Sequence, residues 1–200
     1  NSYVVYLRKY GIEPAITAST GIAATHIGGM TIHSWSGIGI KTKLDACDIR
    51  NIASNQYITR RVGRAKVLII EEVSMLTPNT LSMVDSVCRQ VKQNQKPFGG
   101  MQVVFVGDFF QLPPVAKRET EETKQTELTE TSSARFAYDS PAWIDVDPIV
   151  CYLTEQHRQD DSDFLSILTA IRQNAFDADH LHLVETRKIN GAIVPDSVPK

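Results

Sequence analysis

Two adjacent carboxylates, Glu71 and Glu72, follow the apolar run "VLII". At the tip of a buried strand, one such acid can support Mg²⁺ while the other orients and deprotonates an attacking water, as in nucleotide hydrolases. Asp108 and Gln111 follow the next apolar run, "VVFV". A glutamine amide can hydrogen-bond a phosphate oxygen and a water together. These residue types predict a nucleotide-hydrolysing site, and a solvated turn is the alternative for the paired glutamates.

A further polar stretch, "LTEQHRQ", contains Arg158. Its planar guanidinium presents paired donors that match phosphate oxygens, so Arg158 could act as an arginine finger on a phosphate. A surface ion pair is the alternative role for this arginine.

The apolar runs before these residues predict parallel strands of one sheet. "PAITAST", "AKVLIIEEVS" and "MQVVFVGDFF" each pass from β-branched residues into polar ones, as buried central strands do. The stretch "PNTLSMVDSVCRQVKQ" has apolar residues at helical spacing and a proline suited to a first turn. The order strand, helix, strand predicts a parallel unit, and the carboxyl ends of its strands should bring the polar residues to one edge.

The remaining segments extend this α/β architecture. "DPIVCYLTEQHR" is a fourth strand candidate, and "DSDFLSILTAIRQ" has the spacing of a helix. We therefore expect a doubly wound, mostly parallel sheet with helices on both faces, in one domain over residues 1–185. Residues 116–133 contain almost no large apolar side chain, which predicts an exposed insertion. Residues 186–200 are expected to be a tail or the start of a linker.

Composition restricts the class of protein. The 200 residues are 42% hydrophobic, enough for a core, but no apolar run approaches the roughly 18 residues of a membrane span. We expect an intracellular protein without a membrane partner. Three cysteines without C-x-x-C spacing indicate neither a disulfide framework nor a zinc site. With a formal net charge of −2, nucleic-acid binding would have to come from local patches.

Together, the motifs resemble those of the PIF (petite integration frequency) family of RecD-like superfamily-one DNA helicases. "TASTGIAATHIGGMTIHSWSGIG" is similar to motif Ia and its extension, "LIIEEVSML" to motif II, "VVFVGDFFQLPPV" to motif III and "LTEQHRQ" to motif IV. "DSVCRQVKQNQKPFGGMQ" resembles the segment that separates PIF-type enzymes from their relatives. The resemblance covers about residues 13–175.

The resemblance implies a RecA-like P-loop NTPase fold and an ATP-driven motor that moves 5′ to 3′ on single-stranded DNA. Such a motor would unwind duplexes, junctions, forks or G-quadruplexes in DNA repair, recombination, replication or telomere maintenance. ATP and Mg²⁺ are the implied cofactors, and a second RecA-like domain in the same full-length chain is the implied partner.

The resemblance also implies roles for the individual residues. Glu71 takes the Mg²⁺ side, through water, and Glu72 takes the catalytic base. Gln111 becomes the γ-phosphate sensor and Arg158 a γ-phosphate arginine, with Asp108 beside them in the nucleotide site.

Two features depart from the family pattern. The family usually has aspartate where this chain has Glu71. No G-x-x-x-x-G-K-[ST] occurs in the 200 residues, so we expect the P-loop before Asn1 and "SYVVYLRKYG" as the remainder of its helix. Without the cradle and the lysine of a P-loop, the chain alone should bind ATP poorly and hydrolyse it negligibly.

The motif Ia segment supplies candidates for contact with a DNA backbone. The hydroxyl groups that could donate to phosphates are those of Ser19, Thr20, Thr31 and Ser34. His33 could also donate to a phosphate. Trp35 could stack on a base or pack between helix and sheet, and both alternatives stay open.

Two further surfaces have open alternatives. In "KPFGGMQ", Phe98 could lie in a loop against DNA or in a plain turn that enters a strand. A phosphate-facing patch and a solvated helix face are the two interpretations of the basic cluster formed by Arg60, Arg61, Arg64 and Lys66.

The leading hypothesis is the helicase motor domain, and the alternative is a non-catalytic single-strand-binding or regulatory module descended from one. A P-loop kinase or GTPase is disfavoured, because it explains neither the motif Ia stretch nor "GDFFQLPPV". The expected compartment is the cytoplasm in a bacterium, or the nucleus or mitochondrion in a eukaryote.

Overall fold

The computed structural model of the chain describes residues 2–111, 114, 136–153 and 161–188. Arg158, the predicted insertion at 116–133 and most of the predicted tail lie outside the described residues. The chain divides into two compact units, Asn1–Ile149 and Val150–Lys200, which are described separately below. The assignment of residues 1–185 to one RecA-like domain stays a prediction.

The first unit contains a parallel sheet. Within the described residues its strands, in the spatial order β2-β1-β3-β4, are β1 Ala15–Ala18, β2 Met30–Thr31, β3 Val67–Glu71 and β4 Gln102–Phe105. Each neighbouring pair is parallel, with Ala18 opposite Glu71 and Ile70 opposite Phe105. The three predicted strands and their parallel order are therefore confirmed.

The helices of the first unit are α1 Ser2–Lys9, α2 Gly21–His26, α3 Ile32–Ser36, α4 Ala46–Ser54, α5 Gln56–Arg64, α6 Pro78–Lys92 and α7 Pro141–Val146. Short 3-10 turns cover Val73–Met75, Pro97–Gly100 and Ala137–Asp139. The predicted helix between the second and third apolar runs is α6. It begins where the Thr77 hydroxyl accepts from the Thr80 amide, with Pro78 in the first turn.

The core lies on both faces of the sheet because side chains alternate along β3. Val67 and Ile69 pack with Leu7 of α1 on one face. Leu68 and Ile70 point to the other face, in a larger cluster with the apolar side of α6. The prediction of helices on both faces of a doubly wound sheet is confirmed.

The fourth strand candidate at 147–158 is wrong for its described part. Residues 147–153 belong to no strand, and Ile149 and Leu153 are 93% and 94% exposed. A parallel strand at this point would need cover on both faces, which these side chains lack. The edge strand beside β1 is instead the two-residue β2, which sequence periodicity cannot detect at that length.

The second unit contains two helices, α8 Ser162–Arg172 and α9 Ala178–Thr186. The helix predicted over "DSDFLSILTAIRQ" is confirmed as α8, which buries Ile167 and Ala170. Arg187 pairs with Asp161, and its guanidinium lowers the pKa of that carboxyl to about 2. No helix in the described residues has the length and apolar character needed to cross a membrane.

Candidate functional site

The carboxyl ends of β1, β3 and β4 lie side by side at one edge of the sheet, which we call the carboxyl edge. The Ser19 amide donates to the Glu71 carbonyl at 3.0 Å, which extends the β1–β3 pairing by one residue. The Val73 amide donates to the Val106 carbonyl at 3.0 Å, which joins β3 to β4 beyond the last strand residues. These backbone hydrogen bonds therefore fix the relative positions of the points at which the polar segments leave the strands.

Glu72 adopts a left-handed backbone conformation, with φ 54° and ψ 43°. For a residue with a Cβ this conformation costs about 1 to 3 kcal/mol, and it persists where the surrounding structure enforces it, often at functional sites. Here it turns the chain from β3 into the 3-10 turn Val73–Met75, so that the Val73 amide meets Val106. The strain marks Glu72 as the residue at which the strand leaves the sheet.

Glu71 is partly buried at the end of β3, and its carboxyl is perturbed. Burial raises the pKa of Glu71 above its ordinary value, and the neighbouring charge of Glu72 raises it further. A cation bound close by would favour the ionised form of this carboxyl. Among the described residues, however, no three His, Cys, Asp or Glu side chains cluster to hold a metal.

Glu71→Gln is expected to stabilise the chain against thermal unfolding at pH 7. The folded carboxyl titrates above its unfolded value, so its ionisation opposes folding as pH rises from that value through the raised pKa. The gain in melting temperature should therefore disappear below the ordinary glutamate value of 4.5. The exposed Glu185→Gln is the charge-matched control, and an equal gain from both variants at pH 7 would contradict the prediction.

Asp108 to Gln111 form a hydrogen-bonded turn after β4. The backbone amide of Gln111 donates to the backbone carbonyl of Asp108 at 3.1 Å, which closes the turn. The Asp108 carboxylate accepts from the Phe110 amide at 3.0 Å and from Gln111 Nε2 at 3.2 Å. Asp108 therefore orients the Gln111 side chain and leaves its Oε1 and second N–H for other partners. The sequence predicted that Asp108 and Gln111 lie in one site, but it did not predict that Asp108 orients the Gln111 side chain.

Two buried hydroxyls at the carboxyl edge have no hydrogen-bond partner in the described part of the chain. They are Ser19 Oγ, after β1, and Ser74 Oγ, in the turn after Glu72. The burial of Ser19 Oγ contradicts the predicted contact of this hydroxyl with a DNA phosphate. Buried polar atoms without a protein partner are rare, so these two hydroxyls are available to a ligand or a water at this edge. Ser74 was missed by sequence reasoning, because a serine in "EEVSML" has no distinctive spacing.

Gly107 is needed because the chain passes close to this turn. A Cβ at Gly107 would lie 3.0 Å from the Val73 amide nitrogen and 3.2 Å from that of Ser74. Glycine thus lets β4 and the turn after Glu72 approach within backbone contact.

The motif Ia hydroxyls divide into helix caps and free groups. Thr20 Oγ1 accepts from the Ala23 amide, and Thr31 Oγ1 accepts from the Ser34 amide, so both begin helices while their own hydrogens stay available. Ser34 is exposed at the start of α3. His33 is partly buried, which lowers the pKa of its imidazole below the ordinary value, so the ring is neutral at pH 7. A neutral imidazole keeps one N–H, which could donate to a phosphate.

Of the two alternatives for Trp35, stacking on a base is wrong. Trp35 is 4% exposed and belongs to the main core, so its ring cannot reach a base without leaving the core. The alternative of packing between helix and sheet describes it.

Phe98 is likewise buried, at 0% exposure, and cannot contact DNA. Its amide donates to Asp85 Oδ1 at 2.6 Å, while Arg89 Nε donates to Asp85 Oδ2 at 2.7 Å. A Cβ at the following Gly99 would lie 2.7 Å from the Cys88 carbonyl oxygen. The segment between motifs II and III thus fastens the entry of β4 onto α6, which is the plain-turn alternative.

The basic cluster has its three arginines on α5, and one of them has a structural role. Arg61 Nε donates to the Trp35 carbonyl at 2.7 Å, and its Nη2 donates to the Ser34 carbonyl. Both carbonyls belong to α3, so Arg61 fixes the helix that carries His33 and Ser34. Arg60 is exposed and has no such contact among the described residues.

Arg61→Ala is expected to lower the free energy of unfolding by about 2 kcal/mol, because two charged hydrogen bonds are lost. If α3 contacts DNA, single-strand affinity should also fall several-fold. Arg60→Ala removes the same charge and is the matched control. Equal losses of affinity from both variants, measured by fluorescence anisotropy, would instead assign the cluster to a phosphate-facing patch.

Comparisons with known proteins agree on one family. The family model for the PIF1-like helicase matches residues 1–180. The ATP-dependent DNA helicase Pif1 of Psychrobacter sp. is 49% identical over 159 residues, which are 80% of this chain and 23% of that protein. The ATP-dependent DNA helicase RRM3 of Saccharomyces cerevisiae is 41% identical over 171 residues, 85% of this chain and 22% of that protein. The chain spans less than a quarter of the length of both relatives.

The fold is also similar to that of a solved helicase. The crystal structure of Pif1 helicase from Bacteroides in complex with ADP-AlF3 and single-stranded DNA matches with a TM-score of 0.71 and 32% identity. The match covers 88% of this chain and 41% of that one.

Proposed function

Because the chain belongs to the PIF1-like helicase family, we propose that it is part of the motor domain of an ATP-dependent DNA helicase. The motor would couple ATP hydrolysis to 5′-to-3′ movement on single-stranded DNA and to duplex unwinding. The observation that carries the proposal is the strained Glu72 beside the partly buried Glu71, at the edge that also holds the Asp108–Gln111 turn.

Glu71 and Glu72 at the carboxyl edge would have different roles in hydrolysis. Glu72 would accept the proton of the water that attacks the γ-phosphate, since its backbone is fixed at the end of β3. Mg²⁺ would be held on the Glu71 side, through water, and would neutralise charge on the phosphates. The donor chemistry fits such an ion, because the Glu71 carboxylate and the Ser74 hydroxyl are oxygen ligands, and Ser74 Oγ has no partner in the described part of the chain.

Gln111 would read the state of the γ-phosphate. Asp108 holds one N–H of its amide, and the remaining groups can bond a phosphate oxygen or the attacking water. Arg158, outside the described residues, would add positive charge at the same phosphate. A P-loop from a preceding segment would supply the phosphate cradle.

The DNA contacts would come from the start of α2 and from β2–α3. Thr20, Thr31, His33 and Ser34 would donate to the phosphate backbone without reading sequence. The full-length protein would carry a second RecA-like domain and act on forks, junctions or G-quadruplexes, in the cytoplasm of a bacterium or in the nucleus or mitochondrion of a eukaryote.

The test uses the full-length protein with ATP on duplexes that carry either a 5′ or a 3′ single-stranded tail. DNA-stimulated hydrolysis and unwinding of the 5′-tailed duplex alone are expected. Single-strand binding without hydrolysis would instead favour the non-catalytic module.

A further inference from the structure

The turn that contains Gln111 is attached to the protein through an aromatic ring. Phe109 lies between Asp108 and Gln111 in the chain, and its side chain is partly buried against the main core. The next residue, Phe110, is 76% exposed. Of the two adjacent phenylalanines, Phe109 is therefore the one that fixes the turn to the core.

Phe109 contacts three other rings edge to face. Its centroid lies 4.9 Å from Tyr138, 5.7 Å from Phe136 and 5.9 Å from Trp143, with interplanar angles of 75°, 82° and 77°. This is the arrangement that aromatic quadrupoles favour. Three such contacts restrict the rotation of the ring and the movement of its backbone.

The rings around Phe109 belong to a segment that is itself well anchored. Trp143 stacks on Phe105, the last residue of β4, at a centroid distance of 4.4 Å. Ala137 and Ala142 of the same segment are 0% and 3% exposed, within the core. Trp143 is thus attached to the strand from which the turn emerges, and the segment that carries the partner rings is anchored in the core through Ala137 and Ala142.

The contacts of Phe109 affect the position of Gln111, the proposed γ-phosphate sensor. Gln111 is exposed, and its described hydrogen bonds run to Asp108 within the same turn. These hydrogen bonds set the internal shape of the turn, and the ring contacts of Phe109 attach the turn to the segment that carries Phe136, Tyr138 and Trp143. We propose that Phe109 is a positioning residue that places Gln111 at the γ-phosphate, a role that rests on the function proposed above for Gln111.

The test measures DNA-stimulated ATP hydrolysis by the full-length protein with Phe109→Leu, Gln111→Ala and the double variant. Phe109→Leu is expected to lower kcat about tenfold with KM for ATP within twofold. A displaced Gln111 should weaken stabilisation of the transition state more than binding of ATP in the ground state. In the Gln111→Ala background, Phe109→Leu should have no further effect on kcat, since Phe109 acts through Gln111.

Phe98→Leu is the matched control, because Phe98 is also buried and packs edge to face on Phe105, 6.2 Å away, but lies outside the turn. It should lower thermal stability and leave kcat of the folded enzyme unchanged. If Phe109→Leu fails to fold, Tyr138→Leu removes one partner ring from a 40% exposed position and should lower kcat in the same direction.

The outcomes separate the two proposals. A normal kcat for Phe109→Leu, or equal losses from it in both backgrounds, overturns the positioning role while the role of Gln111 stands. A normal kcat for Gln111→Ala overturns the sensor role and the positioning role together.

Discussion

Glu72→Gln is expected to reduce DNA-stimulated ATP turnover of the full-length protein by at least about 100-fold, the usual contribution of a positioned general base. The amide has almost the same size as the carboxylate, but it cannot accept the proton of the attacking water. The left-handed backbone at Glu72 is fixed by its surroundings, so the amide should occupy the same place. The measurement is steady-state ATP hydrolysis with saturating single-stranded DNA.

Single-strand affinity should stay within about twofold in the same variant, because the proposed DNA contacts lie on α2 and α3. Glu13→Gln is the control: it removes another carboxylate of the first unit, which is exposed and paired with Arg8. It should leave turnover unchanged. Normal turnover in Glu72→Gln would remove Glu72 from the role of base, and a joint loss of turnover and DNA binding would point to misfolding.

Trp35→Ala is expected to lower the free energy of unfolding by about 3 to 5 kcal/mol, the usual cost of deleting a buried tryptophan side chain. The ring is 4% exposed in the cluster that joins α3 to α5 and α6, so its removal leaves a cavity in the main core. Such a loss is a large part of the roughly 5 to 15 kcal/mol that keeps a domain folded. Urea denaturation of the chain measures it.

Tyr57→Ala provides the comparison, since that aromatic ring is 83% exposed and its removal should change stability by less than about 0.5 kcal/mol. ATP and DNA binding should fall together in Trp35→Ala, as the folded fraction falls. Unchanged unfolding with a selective loss of single-strand affinity would return Trp35 to the base-stacking role that its sequence context also allowed.

Much of the carboxyl edge could be predicted from the sequence. A buried parallel strand is mostly apolar, so the polar residues that follow an apolar run mark the approach of its end: Glu71 is the last residue of β3, and Asp108 lies three residues beyond β4. Parallel strands end at one edge, so these residues had to converge. The order of the motifs added the family, which the comparisons support.

The misplaced residues are those whose partners are distant in the chain. Trp35 and Phe98 lie in polar, glycine-containing stretches that favour exposure. In the structure, α5 packs on the helix that contains Trp35, and the Asp85 carboxylate accepts a hydrogen bond from the Phe98 backbone amide. The segment at 147–153 failed in the opposite direction: its apolar residues suggested a strand, but they are exposed in the described chain.

Residue type and local order fixed the strands, the long helix α6 and the identity of the acids, because these depend on periodicity and on where an apolar run stops. The supporting relations around the acids depend on folding instead. The strain at Glu72 and the rings around Phe109 arise where segments more than 25 residues apart meet, as Val73 meets Val106 and Phe109 meets Phe136. Local sequence cannot encode such meetings, since each depends on which surfaces the whole chain buries together.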